Sequence, residues 1–187
     1  MAPANAAEPS IDQTDFDAFA HARSADLVRF AYLLVGNHHV AEDLVQQVLA
    51  NLYFSWSRIR RRAAVDAYVR TALLRAAISW RRRAAVRWER PTDVLPEVST
   101  GASADTTDIE AALESALRQL PPRQRAAVVL RYYCDYSEAE AADSLGCSVG
   151  NVKSLTSRGV QRLRSGLLGS ELSSKDPGRP PAETEPR

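Results

Sequence analysis

Two cysteines, Cys134 and Cys147, are all that the 187 residues contain, too few for a disulfide framework. They fit a reducing compartment and read as small buried hydrophobes. His21, His38 and His39 are the whole histidine complement, and no cysteine or carboxylate cluster of metal-ligand spacing accompanies them. No uninterrupted apolar run approaches the roughly 18 residues of a membrane span. The opening MAPANAAEPS has neither a basic n-region nor an apolar h-region, so the expectation is a soluble, cytoplasmic protein. A phosphate-cradling glycine loop and a nucleophile with its base are also missing, so the sequence predicts no enzymatic activity, cofactor or metal.

What is present is helical and unevenly charged. Hydrophobic residues make up 45% of the chain, enough for real cores in one or two small domains. The net charge of +1 is a cancellation of unlike blocks: −4 over residues 12–57, +9 over 58–90, −5 over 91–110 and +3 over 111–168. Two basic blocks separated by an acidic spacer could hold a polyanion at two places, each phosphate contact releasing counterions.

Apolar periodicity predicts the elements. Phe16, Phe19, Ala20, Leu27, Phe30, Ala31 and Leu34 follow helical spacing until Gly36 and Asn37. A second helix runs from about Val40 to Trp56, with Leu44, Val45, Val48, Leu49, Leu52 and Trp56 on one side and Glu42, Asp43, Gln46 and Gln47 largely on the other. That acidic, amide-rich face is either solvated or docks a basic partner. A third helix, about Val65 to Trp88, has the stripe Val65, Tyr68, Val69, Ala72, Leu73, Ala76 and Trp80 and an opposite face studded with arginine. A basic loop, Arg58 to Arg62, precedes it. Arginines beside Trp56 and Trp80 suit phosphate contact and stacking on unpaired bases, although both tryptophans serve equally as core residues.

Pro91 to Asp108, rich in Pro, Ser, Thr and acids, reads as a linker, and the segment from Gly169 as a disordered tail. Ile109 to Leu120 and Pro122 to Cys134 supply two further helices, with Pro122 at a first helical position. The organisation is therefore a disordered N-terminus (1–11), a helical domain (12–90), an acidic linker (91–108), a second helical domain (109–168) and a tail (169–187). The predicted fold is all-α: two small helical domains joined by a flexible acidic linker, the C-terminal one a helix-turn-helix.

The helix-turn-helix is the most informative segment. Ser137 and Glu140 form a capping box that starts a helix at Glu138. Gly146 can take the positive φ that ends it, and Ser148 caps the next helix near Val149. On that helix Val149, Val152, Thr156, Val160, Leu163 and Leu167 make an inward stripe, while Asn151, Ser154, Leu155, Arg158 and Arg162 share another face. A major groove accepts such a helix: Asn and Arg can bond base edges, and Lys or Ser can hold phosphates. An ordinary amphipathic helix with a solvated face is the plainer reading of the same pattern, but one without need of the paired caps.

On these motifs the chain resembles the extracytoplasmic-function group of bacterial RNA polymerase sigma factors, in a sigma-E-like actinobacterial branch, over about residues 12–168. VAEDLVQQVLANLYFSW resembles the segment that docks on the β′ clamp helices of the polymerase, which would give Glu42, Asp43, Gln46 and Gln47 that role. AYVRTALLRAAISWRRRA resembles the helix that recognises and opens the −10 element, with the role falling on Arg70, Arg75, Ser79, Trp80, Arg82 and Arg83, and on Arg60, Arg61 and Arg62 of the loop before it. LPPRQRAAVVLRYYCDYSEAEAADSLGCSVGNVKSLTSRGVQRLR resembles the domain that reads the −35 element, here through Ser148, Asn151, Lys153, Ser154, Ser157, Arg158 and Arg162. Arg75 stands where an Asn is common in the family, Ser79 where an Asp is common and Leu155 where an Arg is frequent, which leaves the promoter bases open. The resemblance implies core RNA polymerase (β′ clamp helices and β flap) and promoter DNA as partners, with an anti-sigma factor as a further candidate. It also implies that the linker runs through the polymerase toward the RNA exit path. Two rivals stand beside it: a free-standing helix-turn-helix regulator, and a polymerase-binding sequestering factor.

Overall fold

The computed structural model describes residues 11–56, 65–88 and 108–174. They form seven helices: α1 (Ile11–Val35), α2 (His38–Ser55), α3 (Val65–Trp88), α4 (Asp108–Gln119), α5 (Pro122–Tyr132), α6 (Glu138–Leu145) and α7 (Val149–Ser174), with no strand among the described residues. The basic loop with Arg60, Arg61 and Arg62, most of the acidic linker and the end of the tail lie outside them.

Local chemistry sets the helix ends. Asn37 caps α2 by accepting from the Val40 N–H at 3.0 Å, so the helix begins two residues before the periodicity suggests. Gly36, at φ +78°, makes the preceding corner, and a Cβ there would meet Arg118 Cγ at 2.7 Å. Pro122 opens α5. The capping box at Ser137 is complete: the Glu140 N–H donates to Ser137 Oγ at 3.2 Å, and the Ser137 N–H to Glu140 Oε2 at 2.8 Å. Gly146 ends α6 at φ +60°, and Ser148 Oγ accepts from the Asn151 N–H at 3.3 Å. At the far end α7 continues to Ser174, five residues past the Gly169 where a tail was expected.

α1, α2 and α3 bury the expected stripes, with Phe30, Ala31, Leu52, Val69 and Leu73 at 0% exposure, and Leu74, outside the expected α3 stripe, is buried as fully. Tyr68 is the exception. It was assigned to the α3 stripe but is 57% exposed, because Val65, Val69 and Leu73 already fill the inward positions. The same core then continues without a break into the C-terminal half, through Ala127, Leu130, Ala141 and Val152. Residues 124 to 130 of α5 are buried all round, so this helix serves both halves at once. A smaller cluster of Ala116, Leu117, Leu120, Val128 and Leu163 ties α4 and α5 to α7. There the α5 and α7 backbones approach so closely that a Cβ on Gly159 would meet Val128 Cγ2 at 2.6 Å.

Polar contacts close the same junction. Glu114 of α4 accepts from Arg29 Nη1 at 2.7 Å and from the Tyr32 hydroxyl at 2.8 Å, both on α1. Arg125, fully buried, donates to the Leu34 carbonyl of α1 at 3.0 Å and to the Leu117 carbonyl at 2.5 Å. Burial first, then Arg81 and Arg118, push its guanidinium down to about 9, and its Nη2 has no hydrogen-bond partner. The two helical units are therefore docked on each other.

Candidate nucleic-acid interface

The exposed face of α7 is built as the sequence requires. Asn151, Lys153, Ser154, Ser157, Arg158 and Arg162 are all solvent-exposed, together with Ser148 in the turn before them. Behind them Val152, Gly159 and Leu163 are buried, so packing holds this face outward. Two stripe assignments change. Val149 is 39% exposed, and Leu155, placed on the polar face by sequence, is half-buried against the main core. The inward line pivots on Val152 and runs through positions three and seven residues on, which turns Leu155 in. Thr156 is held between the faces, its hydroxyl buried without a partner.

Local bonds preset several of these side chains. Ser154 Oγ donates back to the Gly150 carbonyl at 3.1 Å, Lys153 Nζ lies 3.4 Å from Glu138 Oε2, and Arg162 Nη1 donates to Gln124 Oε1 at 3.2 Å. Arg158 carries no such tie among the contacts described, and points its charge into solvent. Three cations with amide and hydroxyl groups on one helix face can bond both phosphate oxygens and base edges.

On α3, Arg75, Arg82 and Arg83 are exposed, while Ser79 and Trp80 are half-buried, the tryptophan packed against the core. Arg70 does not share their face. It is half-buried, donates to Cys134 Sγ at 3.1 Å across the junction, and lies over the Phe30 ring at 5.8 Å. Burial raises the Cys134 thiol while Arg70 opposes the shift, so the contact is between a cation and a neutral thiol near pH 7. In this docked arrangement Arg70 is a junction residue.

The exposed Tyr68 is an aromatic the sequence reading missed for this face. It precedes Arg75 by seven residues and Arg82 by fourteen, and seven residues are nearly two helical turns. That spacing, rather than membership of an apolar stripe, was the signal that could have found it. The arrangement puts a phenol ring in line with two free guanidinium groups.

The third surface is the outer side of α2. Asp43, Gln46 and Gln47 are exposed, whereas Glu42 is half-buried and turned back, its oxygens 3.2 Å from His38 Nδ1 and 3.8 Å from His39 Nδ1. Three of the four residues assigned to this face are thus free for a partner. Among the described residues no group of His, Cys, Asp and Glu could hold a metal ion, and no helix is long and apolar enough to cross a membrane.

Comparison with known proteins matches both halves. Residues 19–87 match the family description Sigma-70 region 2, and residues 110–163 match Sigma-70, region 4. An RNA polymerase sigma-E factor of Streptomyces coelicolor is 34% identical over 161 residues, covering 86% of this chain and 90% of that protein. The ECF RNA polymerase sigma factor SigM of Mycobacterium tuberculosis is 32% identical over 165 residues, 88% of this chain and 82% of that one. Among solved structures, the sigma factor RpoE in complex with the anti-sigma factor NepR from Bartonella quintana superposes with a TM-score of 0.65 at 26% identity, covering 83% of this chain and 98% of that one. CnrH, solved with the cytosolic domain of CnrY, shares the fold at a TM-score of 0.57 and 20% identity, over 90% of this chain and 94% of that one. The chain belongs to the extracytoplasmic-function group of the sigma-70 family, whose members are transcription initiation factors and not enzymes.

Proposed function

We infer that this chain binds core RNA polymerase in the cytoplasm and directs promoter-specific initiation, α7 reading the −35 element and α3 the −10 element. The observation that carries this reading is one chain bearing two separate cationic helix faces. One lies on a complete helix-turn-helix, and the other is lined with an exposed tyrosine.

The steps follow from the surfaces. Asp43, Gln46 and Gln47 dock on a basic, helical part of the polymerase. Ser148, Asn151, Lys153, Ser154, Ser157, Arg158 and Arg162 hold the −35 duplex. Arg75, Arg82 and Arg83, with Ser79, Trp80 and the loop arginines 60–62, hold the parted strand at the −10 element. Tyr68 adds a stacking platform there, and flipping a base costs a few kcal/mol that stacking and phosphate contacts offset.

Reach imposes one more step. The two elements lie about 25 base pairs apart, on the order of 80 Å at 3.4 Å per step, while the docked halves share a single core. An 18-residue linker over 91–108 extends to roughly 60 Å, enough with the domains' own width once the halves part. Parting also frees Arg70 from Cys134 for DNA. An anti-sigma protein is a further partner class for this chain, by extension from the complexed Bartonella factor.

Run-off transcription from pooled genomic promoter fragments, with core polymerase and with or without the protein, tests this reading. New discrete start sites only in its presence are expected. No new starts with core binding intact would leave a sequestering factor, and no core binding would leave a free-standing regulator.

A further inference from the structure

The outer face of α2 does not end at its acidic and amide groups. Phe54 follows Gln47 by seven residues and Asp43 by eleven, which places it within about 20° of each around the helix, the three in a sector of about 40° and about 16 Å from end to end. Phe54 is 78% exposed, the most exposed aromatic residue among those described. Nothing in the fold needs it there: Ala41, Leu44, Val45, Val48 and Leu52 already bury the inner side of α2.

The ring also stands at the outer end of a run of aromatic contacts. Tyr53 meets it edge-on at 6.0 Å between centroids, Tyr53 meets Phe16 at 5.2 Å, and Phe16 meets the buried Trp56 at 5.3 Å. This ladder of edge-on rings starts in the core and ends in solvent. An aromatic side chain has few torsions to lose on docking and is the kind of residue that dominates an interface.

Resting on the reading of α2 as the polymerase-docking helix, we propose that Phe54 is the apolar anchor of that docking. The polymerase surface that takes α2 then presents cationic groups opposite Asp43 and an apolar depression about three helical turns further along. Charge at one end steers the encounter and fixes direction, and the ring at the other end slows release. The chemistry is that of a basic helical protein surface with one apolar pocket.

The test is titration of labelled full-length chain with core polymerase at several salt concentrations, for wild type, Phe54→Ala, Phe54→Leu and Asp43→Arg. Phe54→Ala is expected to weaken binding about 10- to 100-fold with the salt slope unchanged, through faster dissociation. Phe54→Leu should recover part of the loss, and Asp43→Arg should weaken binding with an altered slope. An unchanged melting temperature for Phe54→Ala is expected for so exposed a side chain, and separates lost docking from lost folding. If wild type binds and Asp43→Arg weakens it, but Phe54→Ala binds as tightly as wild type, the anchor is refuted and the docking face stands. If wild type fails to bind at all, the underlying reading fails. Sedimentation of the free chain supplies the last outcome: a dimer dispersed by Phe54→Ala while core binding persists would assign the ring to a second copy of this chain and overturn the proposal.

Discussion

Replacing Glu114 with alanine should make the protein less stable and, at limiting concentration, a better initiator. Glu114 is one carboxylate bridging two groups of the opposite half, Arg29 at 2.7 Å and Tyr32 at 2.8 Å. Its side chain is 11% exposed and that of Arg29 46%. Breaking a fully buried pair costs about 3–5 kcal/mol, but Arg29 regains water when its partner goes, which brings the cost to about 2 kcal/mol. For a chain of this size that lowers the melting temperature by roughly 4–8 °C. The same free energy tilts the docked-to-parted equilibrium by about 30-fold. Initiation that requires parted halves gains from that tilt, up to the full factor where the docked form dominates.

The assay pairs a thermal melt with run-off transcription at limiting protein, for wild type, Glu114→Ala, Arg29→Ala and the double variant. A double-mutant cycle should return a coupling of about 1 kcal/mol between the two positions. Tyr32 supplies an independent check. Its hydroxyl is raised above 10 by burial first and then by Glu114, so Glu114→Ala should lower it. With the folded value raised, the unfolded chain loses its phenol proton first; stability is therefore full below pH 10 and declines as pH rises through the folded value. A melting temperature and a transcript yield that fall together would refute the idea that parting lies on the route to the promoter.

Four further outcomes are expected. Arg158→Ala should weaken holoenzyme binding to promoter duplex and reduce the salt slope by about one, read by titration at graded salt. Ser137→Ala should return the Glu140 carboxyl part of the way toward its ordinary 4.5, since it removes the Ser137 side-chain bond that lowers it and leaves the backbone N–H bond in place; the side-chain contribution is present above pH 4.5 and lost as pH falls through the folded value, and an NMR titration reads it. Gly159→Ala should cost about 2–3 kcal/mol in denaturant unfolding, because its Cβ would lie 2.6 Å from Val128 Cγ2. Gly146→Ala, with open space around it, should cost only about 1 kcal/mol, from the left-handed backbone alone.

Local rules made the helix-turn-helix legible from residues alone. A serine three positions before a glutamate, a glycine at the helix end and a second serine cap are short-range signals, and each forms its bond where expected. Periodicity served α2 as well, because that helix has one buried side. It failed at Tyr68 and Leu155 for a common reason. Both sit at the border of a stripe, where a shift of about 20° in helix orientation moves a side chain from core to solvent, and orientation is set by neighbours that periodicity does not name.

The docking of the halves was the hardest feature to read, and α5 explains why. A helix with one apolar side declares one partner, but RAAVVL at 125–130 is apolar nearly all round and headed by an arginine. Such a run is hydrophobic enough to be buried on two sides, yet sequence does not say whether the second side meets its own domain or another. Arg125 would have argued for solvent, since arginine is rarely fully buried without partners. Its partners turn out to be backbone carbonyls, Leu117 in its own half and Leu34 in the other. Carbonyls carry no residue signature, so no spacing of side chains could have announced them. The charge itself marks the junction as costly to keep closed: it is held with one nitrogen unpaired and its guanidinium pushed down to about 9. A junction cemented only by apolar packing would have had no such cost. A closed state that holds a buried cation, and that would release Arg70 on opening, fits the proposed function, in which the −10 and −35 faces act on DNA once the halves part.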